Sequence, residues 1–189
     1  MAKLSVKHGV MGSNKTAELI ITAHKYEEGK MKPLVLKPKI DTKGNDYIVS
    51  RVGLKRKVDY LIDKNDDLKN LNLSDIDIIL VDECQFLSID QAKDLYEIAV
   101  LKDIPVICYG LKTDFLNKPF PTMSYLMAMA HSLYELKTIC ACGKKATCNV
   151  RFVNDKAVFS GDTIVIDDDA KISYKAVCAE CYYKLKNKA

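Results

Sequence analysis

The chain has 189 residues, 48% hydrophobic and 29% charged, enough for one full domain with a real core plus a small appendage. Lys and Arg number 29 against 25 Asp and Glu, and the net charge of +4 is too mild to argue for a nucleic-acid partner. No apolar stretch of about 18 residues exists to suggest a membrane span, and Met1 to Val6 lack the apolar segment of a signal peptide. A cytoplasmic location is expected, and there the seven cysteines would be reduced or metal-bound rather than paired in disulfides.

In chain order, Lys3 to His8 alternates like a strand and runs into Gly9-Val10-Met11-Gly12-Ser13-Asn14-Lys15-Thr16. The phosphate-binding loop reads G-x-x-x-x-G-K-[ST] between a strand and a helix. Gly9, Lys15 and Thr16 match it, and Asn14 stands in place of the second glycine. Backbone N–H groups and the helix N-terminus of such a loop cradle phosphates, Lys15 would reach the terminal phosphates, and the Thr16 hydroxyl would bind Mg²⁺. Asn accepts the left-handed backbone better than other non-glycine residues, so Asn14 is expected to hold the turn.

A helix is predicted from Lys15 to Glu28, then a strand over Pro33 to Lys37. The stretch from Asp41 to Lys57 is polar, basic and punctuated by glycine, which predicts a loop near phosphates or a flexible excursion. Asp66 to Leu71 makes a short helix at best. The apolar run Ile76 to Val81 reads as a strand buried on both faces, and it delivers Asp82-Glu83-Cys84-Gln85-Phe86 at its tip. Two carboxylates thus sit at the carboxyl end of a central strand, where open α/β sheets place their ligands. One acid suits Mg²⁺ and its neighbour is free to take a proton. Ser88 and Gln91 form a capping box that starts the next helix, and Asp103 to Gly110 is another buried strand. Alternating strands and helices predict a parallel sheet with right-handed crossovers.

The last third changes character. Cys140-Ala141-Cys142 and Cys178-Ala179-Glu180-Cys181 carry paired cysteines at two separated knuckles, the pattern of a structural four-thiolate zinc site. Cys84, Cys108 and Cys148 read as packing residues, and His8, His24 and His131 carry no assigned chemistry.

The order of phosphate loop, Asp82-Glu83-x-Gln85-Phe86, Tyr109-Gly110-Leu111-Lys112-Thr113-Asp114-Phe115 and paired cysteines resembles the cellular-type (type II) thymidine kinase family. Val81 to Leu87, Tyr109 to Phe115 and Glu135 to Cys140 look closest to its bacterial branch. The resemblance runs from about Lys3 to Tyr182. It implies a RecA-like P-loop sheet over residues 1–138 and a zinc-binding domain with a substrate-covering loop over 139–189. It also implies transfer of the ATP γ-phosphate to the 5′-hydroxyl of thymidine, with Glu83 as general base. By the same resemblance Gly9 to Thr16, Asp41, Asp82 and Gln85 handle ATP phosphates, and Thr16 and Asp82 hold Mg²⁺. Phe86, Leu111, Phe115 and Phe120 wall the base pocket, with Tyr174 nearby and Val165 and Ile166 reading the thymine edge through their backbone. A homotetramer and feedback by thymidine triphosphate are further implications.

Three departures from the family pattern bear on function: Asn14 in the loop, Lys43 where the family has the arginine of D-x-R, and Asp167-Asp168-Asp169 in place of paired glycines. Lysine keeps the charge of arginine but loses its bidentate fork, and glycines allow close backbone approach that carboxylates do not. Two alternatives stay open at this point: a non-catalytic nucleotide-binding homologue, and a zinc-bearing ATPase stimulated by nucleic acid.

Overall fold

The computed structural model describes residues 2–161 and 171–188. Strand β1 (Leu4–His8) leads through the loop into helix α1 (Lys15–Glu28) and strand β2 (Pro33–Pro38). A hairpin of β3 (Tyr47–Val49) and β4 (Lys55–Lys57) follows, then β5 (Tyr60–Ile62), β6 (Ile78–Val81), α2 (Ile89–Leu101), β7 (Val106–Gly110), α3 (Pro121–Met129) and β8 (Ser132–Glu135). The remainder holds β9 (Cys148–Val153), β10 (Lys156–Val158), β11 (Ile172–Val177) and helix α4 (Ala179–Lys186).

Six strands form one sheet in the order β5-β2-β6-β7-β1-β8, and every pairing in it is parallel. One strand, β7, lies between β1, which feeds the phosphate loop, and β6, which carries Asp82 and Glu83. That is the RecA-like arrangement, and it brings both loops to the same edge of the sheet. Ile78, Ile79, Leu80 and Val81 are fully buried, as a strand covered on both faces requires. On one face Leu95, Ile98 and Leu126 pack against Leu4, Val6 and Val106; on the other, Leu19 and Ala23 pack with Val35, Leu80 and Tyr109. The α2 start is capped as its sequence demands: Gln91 N–H donates to Ser88 Oγ at 3.1 Å, and Ser88 N–H to Gln91 Oε1 at 3.0 Å.

The segment predicted as a loop between Asp41 and Lys57 contains the β3–β4 hairpin. Its root is fixed by Ile48, buried against α1, and by an Arg56–Glu27 ion pair at 2.7 Å. The last third forms a separate antiparallel sheet, β10-β9-β11, with its own core of Val150, Val177, Cys148 and Tyr182. Val10 of the phosphate loop packs into that core.

Candidate active site

The phosphate loop owes its tight path to its glycines. A Cβ on Gly9 would lie 2.4 Å from both the Leu136 carbonyl oxygen and Ser13 Oγ, so no larger residue fits. Gly12 has φ +77°, in the left-handed region. Asn14 adopts φ 61°, ψ 25°, also left-handed, as glycine would. Lys15, 8% exposed, folds back to donate to the carbonyl oxygens of Gly9 (2.9 Å) and Val10 (3.0 Å). Burial lowers its pKa from the usual value, against the opposing pull of Glu83 and Asp82.

Across the sheet edge, Thr16 Oγ1 donates to Asp82 Oδ2 at 3.1 Å. Asp82 is buried, and burial first, then the charge of Glu83, raises its pKa to about 7. A bound divalent cation would oppose that shift, so the pair fits an Mg²⁺ site. Glu83 follows with φ 48°, ψ 39°, a left-handed backbone that is costly for glutamate. Its Oε2 accepts from Gln85 Nε2 at 2.6 Å, while Gln85 Oε1 accepts from Leu111 N–H at 3.1 Å. Gln85 therefore ties the Glu83 carboxylate to the turn after β7.

A cavity of about 290 Å³ opens over these groups. It gathers Met11, Gly12, Asn14, Lys15, Thr16, Asp41, Glu83 and Gln85 on one side and Phe86, Leu111, Phe115, Phe120 and Tyr174 on the other. Gly9, Val10, Ser13 and Asp82 are not among the residues that line it. Phe86 and Phe120 meet edge to face, with centroids 6.0 Å apart. The Arg151 guanidinium lies 3.7 Å from the Phe115 ring centroid and donates through Nε to Tyr174 Oη at 2.9 Å, fixing that wall from outside. Asp41 is held by buried Lys37 at 3.0 Å. Val165, Ile166 and the Asp167–Asp169 run lie outside the described residues.

The cavity-lining residues that sequence reasoning missed include two polar ones from outside the phosphate loop. Arg51 reaches it from the turn of the hairpin, and Asn149 from β9, where its Oδ1 accepts from Met11 N–H at 2.8 Å. Neither sits in a motif, and only tertiary pairing brings either to the loop.

The thiol sulfurs of Cys140, Cys142, Cys178 and Cys181 lie within 4.8 Å of one another. A zinc tetrahedron with Zn–S of about 2.3 Å has S···S edges of about 3.8 Å, and Cys142 and Cys178 already stand at 3.6 Å. Backbone N–H groups of Cys142 and Cys178 lower the Cys140 thiol to about 6, whereas Cys181, hydrogen-bonded to the other sulfurs, is raised to about 12. Four sulfurs at that spacing, one of them ready to ionise, fit a tetrahedral metal and leave no position open for a substrate.

A parallel sheet with a P-loop after its first strand, an acid pair after the strand two places away and a four-cysteine module define a P-loop α/β protein with a metal-binding appendage. The thymidine kinase family model matches residues 2–182. A thymidine kinase from Francisella tularensis (strain SCHU S4) is 41% identical over 187 residues, covering 94% of this chain and 95% of the relative. One from Enterobacteria phage T4 is 38% identical over 194 residues (100% and 99%), and one from Chromobacterium violaceum 37% over 185 residues (97% and 99%). The chain belongs to the thymidine kinase family.

Proposed function

We propose that this protein transfers the γ-phosphate of ATP to the 5′-hydroxyl of thymidine. The observation that carries the reading is the Glu83 carboxylate, oriented by Gln85, in one cavity with the phosphate loop and an aromatic-walled pocket. The 5′-oxygen forms a bond to the γ-phosphorus as the bond from that phosphorus to the β–γ bridging oxygen breaks. The electron pair leaves on ADP, and the hydroxyl proton passes to Glu83. Lys15 turns from the loop carbonyls to the terminal phosphates, and backbone N–H groups between Gly9 and Thr16 hold the rest. Thr16 and Asp82 would hold Mg²⁺, which supplies charge neutralisation on the phosphates. Phe86, Leu111, Phe115, Phe120 and Tyr174 bury the base, with Val165 and Ile166 assigned to the thymine edge.

We read residues 1–138 as the transfer unit and 139–189 as a module built on zinc held by the four cysteines, a division supported by their separate sheets. A cytoplasmic, homotetrameric enzyme under feedback by thymidine triphosphate completes the proposal by family likeness. Among the described residues no helix is long and apolar enough to cross a membrane.

The test is product formation from ATP, Mg²⁺ and each common deoxynucleoside, with Glu83→Gln beside the wild type. Thymidine monophosphate is the expected product. The variant should lose about 10²-fold or more in kcat while ATP still raises its melting temperature. Full turnover by Glu83→Gln overturns the base assignment, and phosphorylation of no nucleoside overturns the kinase reading in favour of a nucleotide-binding homologue.

A further inference from the structure

The hairpin after β2 is built as a bracket over the phosphate loop. Its root is buried through Ile48 and tied to α1 through Arg56 and Glu27. Its turn is closed by three hydrogen bonds: Ser50 N–H to the Leu54 carbonyl (2.8 Å), Leu54 N–H to Ser50 Oγ (2.9 Å) and Gly53 N–H to the Ser50 carbonyl (3.2 Å). That short, cross-braced turn projects Arg51 into the cavity. Arg51 Nη1 lies 3.6 Å from where a Cβ on Gly12 would stand. The guanidinium thus hangs beside the loop that cradles phosphates.

Arg51 makes no hydrogen bond or ion pair among the described residues. Its nearness is felt by Lys15, whose proton it helps to repel. Lys15, Lys43 and Arg51 line the cavity together with Asp41, Glu83 and Asp114, and among the described residues Arg51 is ion-paired with none of these acids. A guanidinium left without an ion pair beside a phosphate-cradling loop is placed to meet a phosphate. Arg51 is also the single arginine among the described residues that line the cavity. The neighbouring basic position in the Asp41–Lys43 segment is a lysine, which cannot present two parallel N–H donors to a phosphate.

We propose that Arg51 is a catalytic residue that grips the terminal phosphate of ATP, an arginine delivered within the chain by the hairpin tip. The inference rests on the kinase reading above. Lys15 and Arg51 would hold the γ-phosphate from two directions, and Arg51 would neutralise charge on its equatorial oxygens as the 5′-oxygen attacks and ADP departs. The balance of bonds and protons is unchanged from that step, since guanidinium neither gives nor takes a proton. An arginine so placed changes kcat by about 10³-fold or more in nucleotide-hydrolysing enzymes of this loop class.

Arg51→Ala and Arg51→Lys are to be compared with wild type on the full chain, for steady-state kinetics and for melting temperature with and without Mg²⁺–ATP or Mg²⁺–ADP. Arg51→Ala should lose about 10³-fold in kcat and should erase the extra stabilisation that ATP gives over ADP. Added guanidinium ion at low, non-denaturing concentration should restore part of the rate. Arg51→Lys should fall between the two. The ligand-free melting temperature should not move, because Arg51 has no described partner to lose. Kinetics of Arg51→Ala within about twofold of wild type, with the ATP-over-ADP difference intact, would overturn the proposal. So would a lowered ligand-free melting temperature without guanidinium rescue. If wild type itself phosphorylates no nucleoside, the kinase reading fails alone, and the ATP-over-ADP comparison still decides whether Arg51 meets the terminal phosphate.

Discussion

Asn14 and Glu83 both hold left-handed backbone beside the same cavity, and they do so for different reasons. Asn14 replaces a glycine at a position where the turn needs positive φ, and its identity made that conformation legible from sequence. Glu83 has no such excuse: a glutamate there costs on the order of 1–3 kcal/mol, and its carboxylate is held by Gln85 Nε2 at 2.6 Å. Asp82 and Glu83 were readable as a strand-end acid pair, but the Gln85 latch was not, because it depends on the turn after β7. His8 was likewise silent in sequence. It is buried at the end of β1, its Nδ1 has no hydrogen-bond partner among the described residues, and Lys112, Lys145 and Lys15 surround it with Glu135. Burial, then Lys112, lower its pKa below the ordinary 6.5. The unfolded chain therefore takes up a proton near pH 6.5 that the folded chain refuses. The stability from neutral His8 is complete above about pH 6.5 and is lost as pH falls through the lower, folded value. Urea midpoints should drop on acidification from about pH 7 to about pH 5, with a shallower drop for His8→Asn; equal slopes would refute this role.

At the scale of elements, α1 spans the residues its periodicity marks, and the Ser88–Gln91 box starts α2 as its spacing requires. The β3–β4 hairpin escaped because its strands are three residues long and β4 is Lys-Arg-Lys, with no apolar alternation to announce it. Tyr60–Ile62 was too short to stand out for the same reason. The capping box also does more than start a helix. Gln91 Nε2 donates to the Asp63 carbonyl (2.8 Å) and the Asp66 carbonyl (3.2 Å), so one side chain holds both the helix start and the loop before β6. Ser88→Ala should cost about 1 kcal/mol in urea unfolding. Gln91→Ala should cost more, since it also removes the hydrogen bonds to the Asp63 and Asp66 carbonyls. Equal losses would show that the link to Asp63 and Asp66 contributes nothing.

At the scale of the molecule, the fold class was legible because alternating strands and helices admit few arrangements, whereas the strand order and the contact between the appendage and the phosphate loop were not. That contact has two parts: Val10 inside the core around Cys148 and Tyr182, and Asn149 holding the Met11 N–H. Loosening the four-cysteine site should therefore be felt at the nucleotide. Stripping metal from the full chain with a chelator, or replacing Cys181 by Ser, should raise the KM for ATP. Loss of one hydrogen bond worth about 1 kcal/mol corresponds to about a fivefold change, and packing loss around Val10 adds to it. An unchanged KM after demonstrated metal release would disconnect the two regions.

The Asn149–Met11 hydrogen bond joins residues 138 positions apart. During synthesis the loop leaves the ribosome 138 residues before its clasp. At about 5–20 residues per second, the interval is on the order of 7–28 s. Once β7 has been made, the nascent chain can pair β1 with β7 and bury its main core, yet until β9 and the chain beyond it follow, the Met11 amide lacks Asn149 and Val10 lacks its pocket. The nucleotide site is thus begun well before β7 is made and finished only after β9 is, and a chain cut short before β9 would carry the motif without the grip.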